Sequence, residues 1–126
     1  MLTVVFDFDG VIHSYSSGFK GIDIIPDAVV DGIKEAIAEI RAAGYKVVVV
    51  STRCREEIGK LAIENYLVVN GIVVDEVTHT KPPAIVYIDD RAICFNGKAS
   101  ELLERIQNFK VWYKEWLQCM FYQLLT

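Results

Sequence analysis

Asp7-Phe-Asp9 is the sharpest chemical feature of this 126-residue chain. Asp7 lies inside the apolar run Leu2 to Phe8, where a carboxylate without a partner is costly. Two residues apart at a strand end, the side chains point to one side. Close carboxylates repel and call for a cation or a shared proton. A hard divalent ion such as Mg²⁺ prefers oxygen ligands and keeps waters for a substrate phosphate. Taken alone, an Asp-x-Asp is more often a solvated strand end. Asp89-Asp90 closes another apolar run, Ala84 to Ile88, and supplies the third oxygen cluster an octahedral ion wants. Lys81 is a candidate counter-cation, although a lone lysine is usually solvated. Ser51 and Thr52 follow the run Lys46 to Val50. Each offers a hydroxyl and a backbone N–H at a strand-to-helix turn, a place suited to a phosphate oxygen.

These side chains need a scaffold that carries them to one rim. Leu2–Phe8 reads as a strand, and residues 10–25, with Gly10, Gly18 and Gly21, as a loop or small hairpin. Pro26-Asp27 looks like the start of a helix in which Val29, Ile33, Ala36, Ile37 and Ile40 recur at helical spacing, with Gly44 as the stop. Lys46–Val50 is apolar on both faces, as a central parallel strand should be. A helix is expected from about Arg55 to Asn70-Gly71, with Glu56 and Glu57 in a first turn whose dipole suits them. Ile72–Val77 and Ala84–Ile88 are two more strands, separated by Lys81-Pro82-Pro83, and a last helix is expected from about Ser100 to near the C-terminus. This order predicts an α/β fold, a Rossmann-like three-layer sandwich with a mainly parallel sheet, as one domain over residues 1–126. Ligands in such sheets bind beyond the carboxyl ends of the strands, where Asp7, Asp9, Ser51, Thr52, Asp89 and Asp90 would converge.

Composition narrows the function further. Hydrophobic residues make up 52% of the chain and charged residues 24%, which describes a folded globular protein. A net charge of −4 argues against a bulk electrostatic grip on nucleic acid and leaves only a local basic patch open. Three widely spaced cysteines without a Cys-x-x-Cys fit neither a disulfide framework nor a thiolate zinc site. Acidic residues from Asp7 onward and a short opening apolar run give no secretory signal, and no apolar stretch is long enough to span a membrane. The expected location is the cytoplasm. Trp112, Trp116, Met120 and Leu124 share one helical face of the C-terminal stretch, with Tyr113, Leu117 and Phe121 beside it. Such a helix is buried by more than one surface, which suggests core packing or a homo-oligomer contact.

Val-Val-Phe-Asp7-Phe-Asp9-Gly-Val-Ile, Val-Val-Val-Ser51-Thr-Arg53, Lys81-Pro-Pro and Tyr-Ile-Asp89-Asp90-Arg, in this order over residues 4–91, resemble the four motifs of the haloacid dehalogenase-like (HAD-like) superfamily of phosphotransferases. Asp7 to Tyr15, Ser17 to Gly21, Ile25-Pro-Asp27 and the stretch Lys81 to Ala92 look more closely like small capless members encoded by bacteria and phages. The resemblance implies a Mg²⁺-dependent phosphomonoester hydrolase. Asp7 would be the nucleophile that forms an aspartyl-phosphate, and Asp9 would protonate the leaving oxygen and later activate water. Ser51 would hold the phosphoryl group, with Thr52 as the rival hydroxyl, and Lys81 would offset charge. Asp7, the Asp9 backbone carbonyl, and Asp89, Asp90 or both would form the metal site. Gly10, His13, Thr52 and Arg53 are candidate substrate contacts, with hairpin hydrogen bonding the rival for His13 and surface ion pairing the rival for Arg53. Arg91 could bind phosphate in the same way, and Tyr15 and Phe19 could wall the site or simply pack the loop. His79 reads as a loop residue.

A cap domain has no room here: residues 10–25 and 78–80, where superfamily members carry one, are too short to fold alone. The site should therefore be open, suited to a bulky or polymer-end phosphomonoester and poor at excluding water. Cys54 lies near Ser51, but no histidine is placed to activate it. Two other readings compete. A receiver-like, phospho-accepting module would need an aspartate after the third strand, which ends in Val77-Thr78-His79. A non-catalytic phosphate-binding or interaction protein could use the same scaffold through its aromatic C-terminal stretch.

Overall fold

A computed structural model describes residues 1–113 of the chain. They fall in two compact units, Met1–Asp89 and one beginning at Asp90. The first holds a four-stranded sheet built from β1 (Thr3–Asp7), β2 (Lys46–Val50), β3 (Glu76–Thr78) and β4 (Val86–Ile88), together with helices α1 (Ile33–Ala42) and α2 (Glu57–Val69). The strand order is β3-β2-β1-β4, and every pairing is parallel. This is a small α/β fold of the Rossmann-like kind. Among the described residues no helix is long and apolar enough to cross a membrane.

Alternation along the strands divides the two faces. Val4, Phe6 and Phe8 join Val47, Val49 and Val77 in a core closed by Ile37 of α1 and by Ile63 and Leu67 of α2. Both crossover helices therefore cover the same face. Val5, Asp7, Val48 and Val50 point to the other face. The chain steps from β1 to β2 to β3 in one direction, then returns to lay β4 on the opposite side of β1. The reversal falls between β1 and β4, and in open parallel sheets the crevice at such a point is where ligands bind.

Several elements differ from the expectation. β2 has the expected limits, but α1 begins at Ile33 rather than near Pro26. Residues 28–30 pair with the loop instead: the Ser14 N–H donates to the Ala28 carbonyl at 2.9 Å and the Val30 N–H to the Ile12 carbonyl at 2.9 Å. Gly32, at φ 81°, then turns the chain into the helix, a conformation that favours glycine. The third strand shrinks to Glu76–Thr78 because residues 72–75 form no ladder with β2 beyond one bond, from the Asp75 N–H to the Val47 carbonyl.

In the second unit a 3₁₀ turn, Ala99–Glu101, leads into α3 (Leu102–Gln107). The expected long C-terminal helix stops there, at Asn108, where the Phe109 N–H closes a tight turn on the Ile106 carbonyl. Trp112 is exposed in a turn. The remainder of the expected aromatic helix, from Trp116 to Leu124, lies outside the described residues.

Candidate functional site

β1 and β4 run side by side with Val4 opposite Val86, Val5 opposite Tyr87 and Phe6 opposite Ile88. One step further along this register, Asp7 stands beside Asp89, both on the face away from α1 and α2. Carboxylate oxygens of the two lie within 4.8 Å of each other. A cavity of about 70 Å³ opens here, lined by Val5, Asp7, Val50, Lys81, Tyr87 and Asp89 together with Ile88. It sits at the carboxyl end of the strands, at the reversal point between β1 and β4. One water needs roughly 10–15 Å³ of such space. A hydrated ion or a phosphoryl group fits, whereas ligand pockets for whole nucleotides or sugars run from about 300 Å³ upward.

Lys81 reaches this cavity from the connection that precedes β4. Its Nζ lies 4.1 Å from the centroid of the Tyr87 ring. Asp90 follows Asp89 directly and opens the second unit, where its carboxylate accepts the Tyr113 hydroxyl at 2.8 Å and lies 4.0 Å from Nε of Arg91.

Ser51 is buried one residue beyond Val50. Its N–H donates to the Thr78 carbonyl at 3.0 Å, which ties β2 to β3 at the rim. Its Oγ accepts the Arg53 N–H at 3.2 Å and caps the 3₁₀ turn Thr52–Arg55. This leaves the hydroxyl proton available for donation. Thr52 is exposed on the turn.

Asp9 occupies a second, separate cluster. Phe8 is fully buried, and its carbonyl accepts the N–H groups of Val11, Ile12 and His13, so the chain leaves β1 in a tight turn. Gly10 makes that turn at φ 83° and donates its N–H to the His13 carbonyl. The turn brings His13 Nδ1 to 2.8 Å from Asp9 Oδ1. The Asp27 N–H donates to His13 Nε2 at 3.1 Å, so the proton of the neutral ring belongs on Nδ1, facing Asp9. His13 is wholly buried among Phe8, Tyr15 and Tyr66. Tyr66 donates its hydroxyl to the Asp27 carbonyl at 3.0 Å. Burial, then the charges of Asp27 and Asp9, push that phenol up to about 12.

Arg53 completes the cluster. Its side chain is 2% exposed, and it forks onto Asp9 with Nε at 2.8 Å from Oδ2 and Nη2 at 3.2 Å from Oδ1. Nη1 donates to the carbonyls of Gly21, Ile22 and Ile24, and the guanidinium lies over the Phe19 ring at 5.3 Å. One cation thus fastens the loop 19–24 to Asp9. A Cβ at Gly59 would collide with the Arg53 carbonyl oxygen, so only glycine lets α2 approach this turn. Burial alone would raise the Asp9 carboxyl. Hydrogen bonds from His13 and Arg53, with the charge of Arg53, outweigh it and hold the group below the ordinary aspartate value.

The sequence-predicted residues therefore divide in two. Asp7, Asp89 and Lys81 meet at the cavity. Asp9, His13 and Arg53 form a buried polar cluster whose hydrogen bonds are made within the protein, and Gly10 shapes the turn between the two groups. Neither of the roles weighed for Arg53, phosphate contact or surface ion pair, describes this buried fork. Phe19 packs on that guanidinium, and Tyr15 packs against His13. Cys54 is buried, and desolvation raises its thiol, with Lys60 and Glu64 acting in opposite directions. Two residues were missed. Tyr87 was detectable, since it lies two residues before Asp89 and must share its face. Asp27 was read as a helix start and as part of the Ile25-Pro-Asp27 stretch, neither of which pointed to its bond with His13.

No protein-family model matches the chain, and neither a curated protein nor a solved structure does.

Proposed function

We propose that this chain is a HAD-like, Mg²⁺-dependent phosphomonoester hydrolase that works through an aspartyl-phosphate on Asp7. One observation carries the reading: two carboxylates from neighbouring parallel strands and a lysine line one small cavity at the reversal point of the sheet. An all-oxygen donor set beside an ammonium suits a hard divalent cation together with a phosphate. Asp7 and Asp89 would hold the ion. When bound, it would offset the charge of the phosphate oxygens.

The protein's own groups supply the remainder. An Asp7 carboxylate oxygen attacks phosphorus, and the bond from phosphorus to the leaving oxygen breaks. Lys81 balances the charge gathered on the equatorial oxygens. Ser51 donates its hydroxyl proton to one of them from the neighbouring strand end. Water then attacks the acyl-phosphate, releases inorganic phosphate and restores the Asp7 carboxylate. Resemblance implies two roles for Asp9, acid toward the leaving group and base toward the water. An aspartate held anionic by Arg53 and His13 suits the second. The cavity admits the phosphoryl group, and the leaving group lies outside it, which fits a bulky or polymer-end phosphomonoester.

The test is phosphate release from p-nitrophenyl phosphate and from a panel of nucleotides, sugar phosphates and phosphorylated polynucleotide ends. Mg²⁺-dependent turnover that is lost in Asp7→Asn with an unchanged Tm supports the reading. No Mg²⁺-dependent release from any of them overturns it.

A further inference from the structure

Tyr87 is the middle residue of β4 and faces the cavity two residues before Asp89. Its backbone is fixed by β1 through the register with Val5. Its hydroxyl donates to the Pro82 carbonyl at 2.6 Å, one residue after Lys81. The ring is thus held at both ends, and the Lys81 ammonium rests on it at 4.1 Å from the centroid. Pro82 and Pro83 stiffen the backbone that follows Lys81. An aromatic face attracts the ammonium and leaves its charge whole.

We propose that Tyr87 is the positioning residue for Lys81: its ring fixes the ammonium at the wall of the Asp7–Asp89 cavity, where a phosphoryl group would meet it. This rests on the phosphomonoesterase reading above. It assigns the work to the ring, with the hydroxyl serving only to steady it.

The experiment is titration with inorganic phosphate in the presence of Mg²⁺, combined with NMR of the Lys81 side chain, on wild type, Tyr87→Phe and Tyr87→Leu. The Lys81 Cε protons are expected to be shifted upfield by the ring in wild type and in Tyr87→Phe, and to return to an ordinary lysine position in Tyr87→Leu. Phosphate affinity is expected to fall about two- to fivefold in Tyr87→Leu, the range of an exposed cation–π contact, and to recover in Tyr87→Phe. In a Lys81→Ala background, Tyr87→Leu should change nothing further. An unshifted Lys81 in wild type overturns the inference. So does an undiminished phosphate affinity in Tyr87→Leu, or an equal loss in the Lys81→Ala background. If wild type binds no phosphate with Mg²⁺ present, the phosphomonoesterase reading falls and this role falls with it.

Discussion

Replacing Arg53 with methionine keeps an apolar stem in the core and removes the cation that closes the Asp9 cluster. Five hydrogen bonds go with it: two to Asp9 and three to the carbonyls of Gly21, Ile22 and Ile24. Breaking a buried pair from one side costs about 3–5 kcal/mol, because the remaining charge is stranded. The Asp9 side chain is 22% exposed, and the loop carbonyls lie in a partly exposed segment, so water can rescue part of the loss. The low end, about 3 kcal/mol, is the expected cost. An unfolding entropy of about 2.1 cal/mol/K per residue over the chain converts this to a fall in Tm of about 11 °C. Calorimetry of Arg53→Met, Asp9→Asn and the double variant measures it, and the double variant should lose clearly less than the two single losses added. Asp9 has a depressed folded pKa, so its contribution is full above the unfolded value near 3.8 and is lost as pH falls through the folded one. The acid-side slope of stability should therefore flatten in Arg53→Met. A Tm within about 3 °C of wild type, or strictly additive losses, would refute the view of Arg53 as a buried clamp.

Three further outcomes are expected. Asp89→Asn should raise the Mg²⁺ concentration for half-maximal phosphate release on the order of tenfold, at unchanged Tm, as read by a metal titration of turnover. With Asp9 as base toward the water, Asp9→Asn should let the Asp7 acyl-phosphate accumulate and slow steady phosphate release on the order of 100-fold, as mass spectrometry after an acid quench would show; release at the wild-type rate would contradict this. Cys54, buried with a raised thiol, should react with iodoacetamide at neutral pH far more slowly than the exposed Cys94, as peptide mass spectrometry would show.

How much of this was readable in the residues follows from how local each cause is. β2 was legible because four successive valines, apolar on both faces and followed by Ser51, admit only a central strand. The meeting of Asp7 with Asp89 was legible because strand ends in a parallel sheet share a rim. The start of α1 was not: Val29 sits at helical spacing, but its segment pairs with residues 12–14, a contact that periodicity cannot see. The end of α3 was masked by continued apolar spacing beyond Asn108. The Arg53–Asp9 fork joins residues 44 apart, and a single arginine after a strand looks the same in sequence whether it is buried or exposed. Alternation alone would have found Tyr87, had the face of Asp89 been followed backward.

The most direct measurement is a chemical trap of the intermediate. Enzyme mixed with substrate and Mg²⁺, quenched in acid and reduced with borohydride should carry homoserine at position 7, because an acyl-phosphate is reduced where a free carboxylate is not. Conversion at Asp7 that requires both Mg²⁺ and substrate is the predicted result. Steady phosphate release with an unmodified Asp7, or with the label on another carboxylate, would contradict the account.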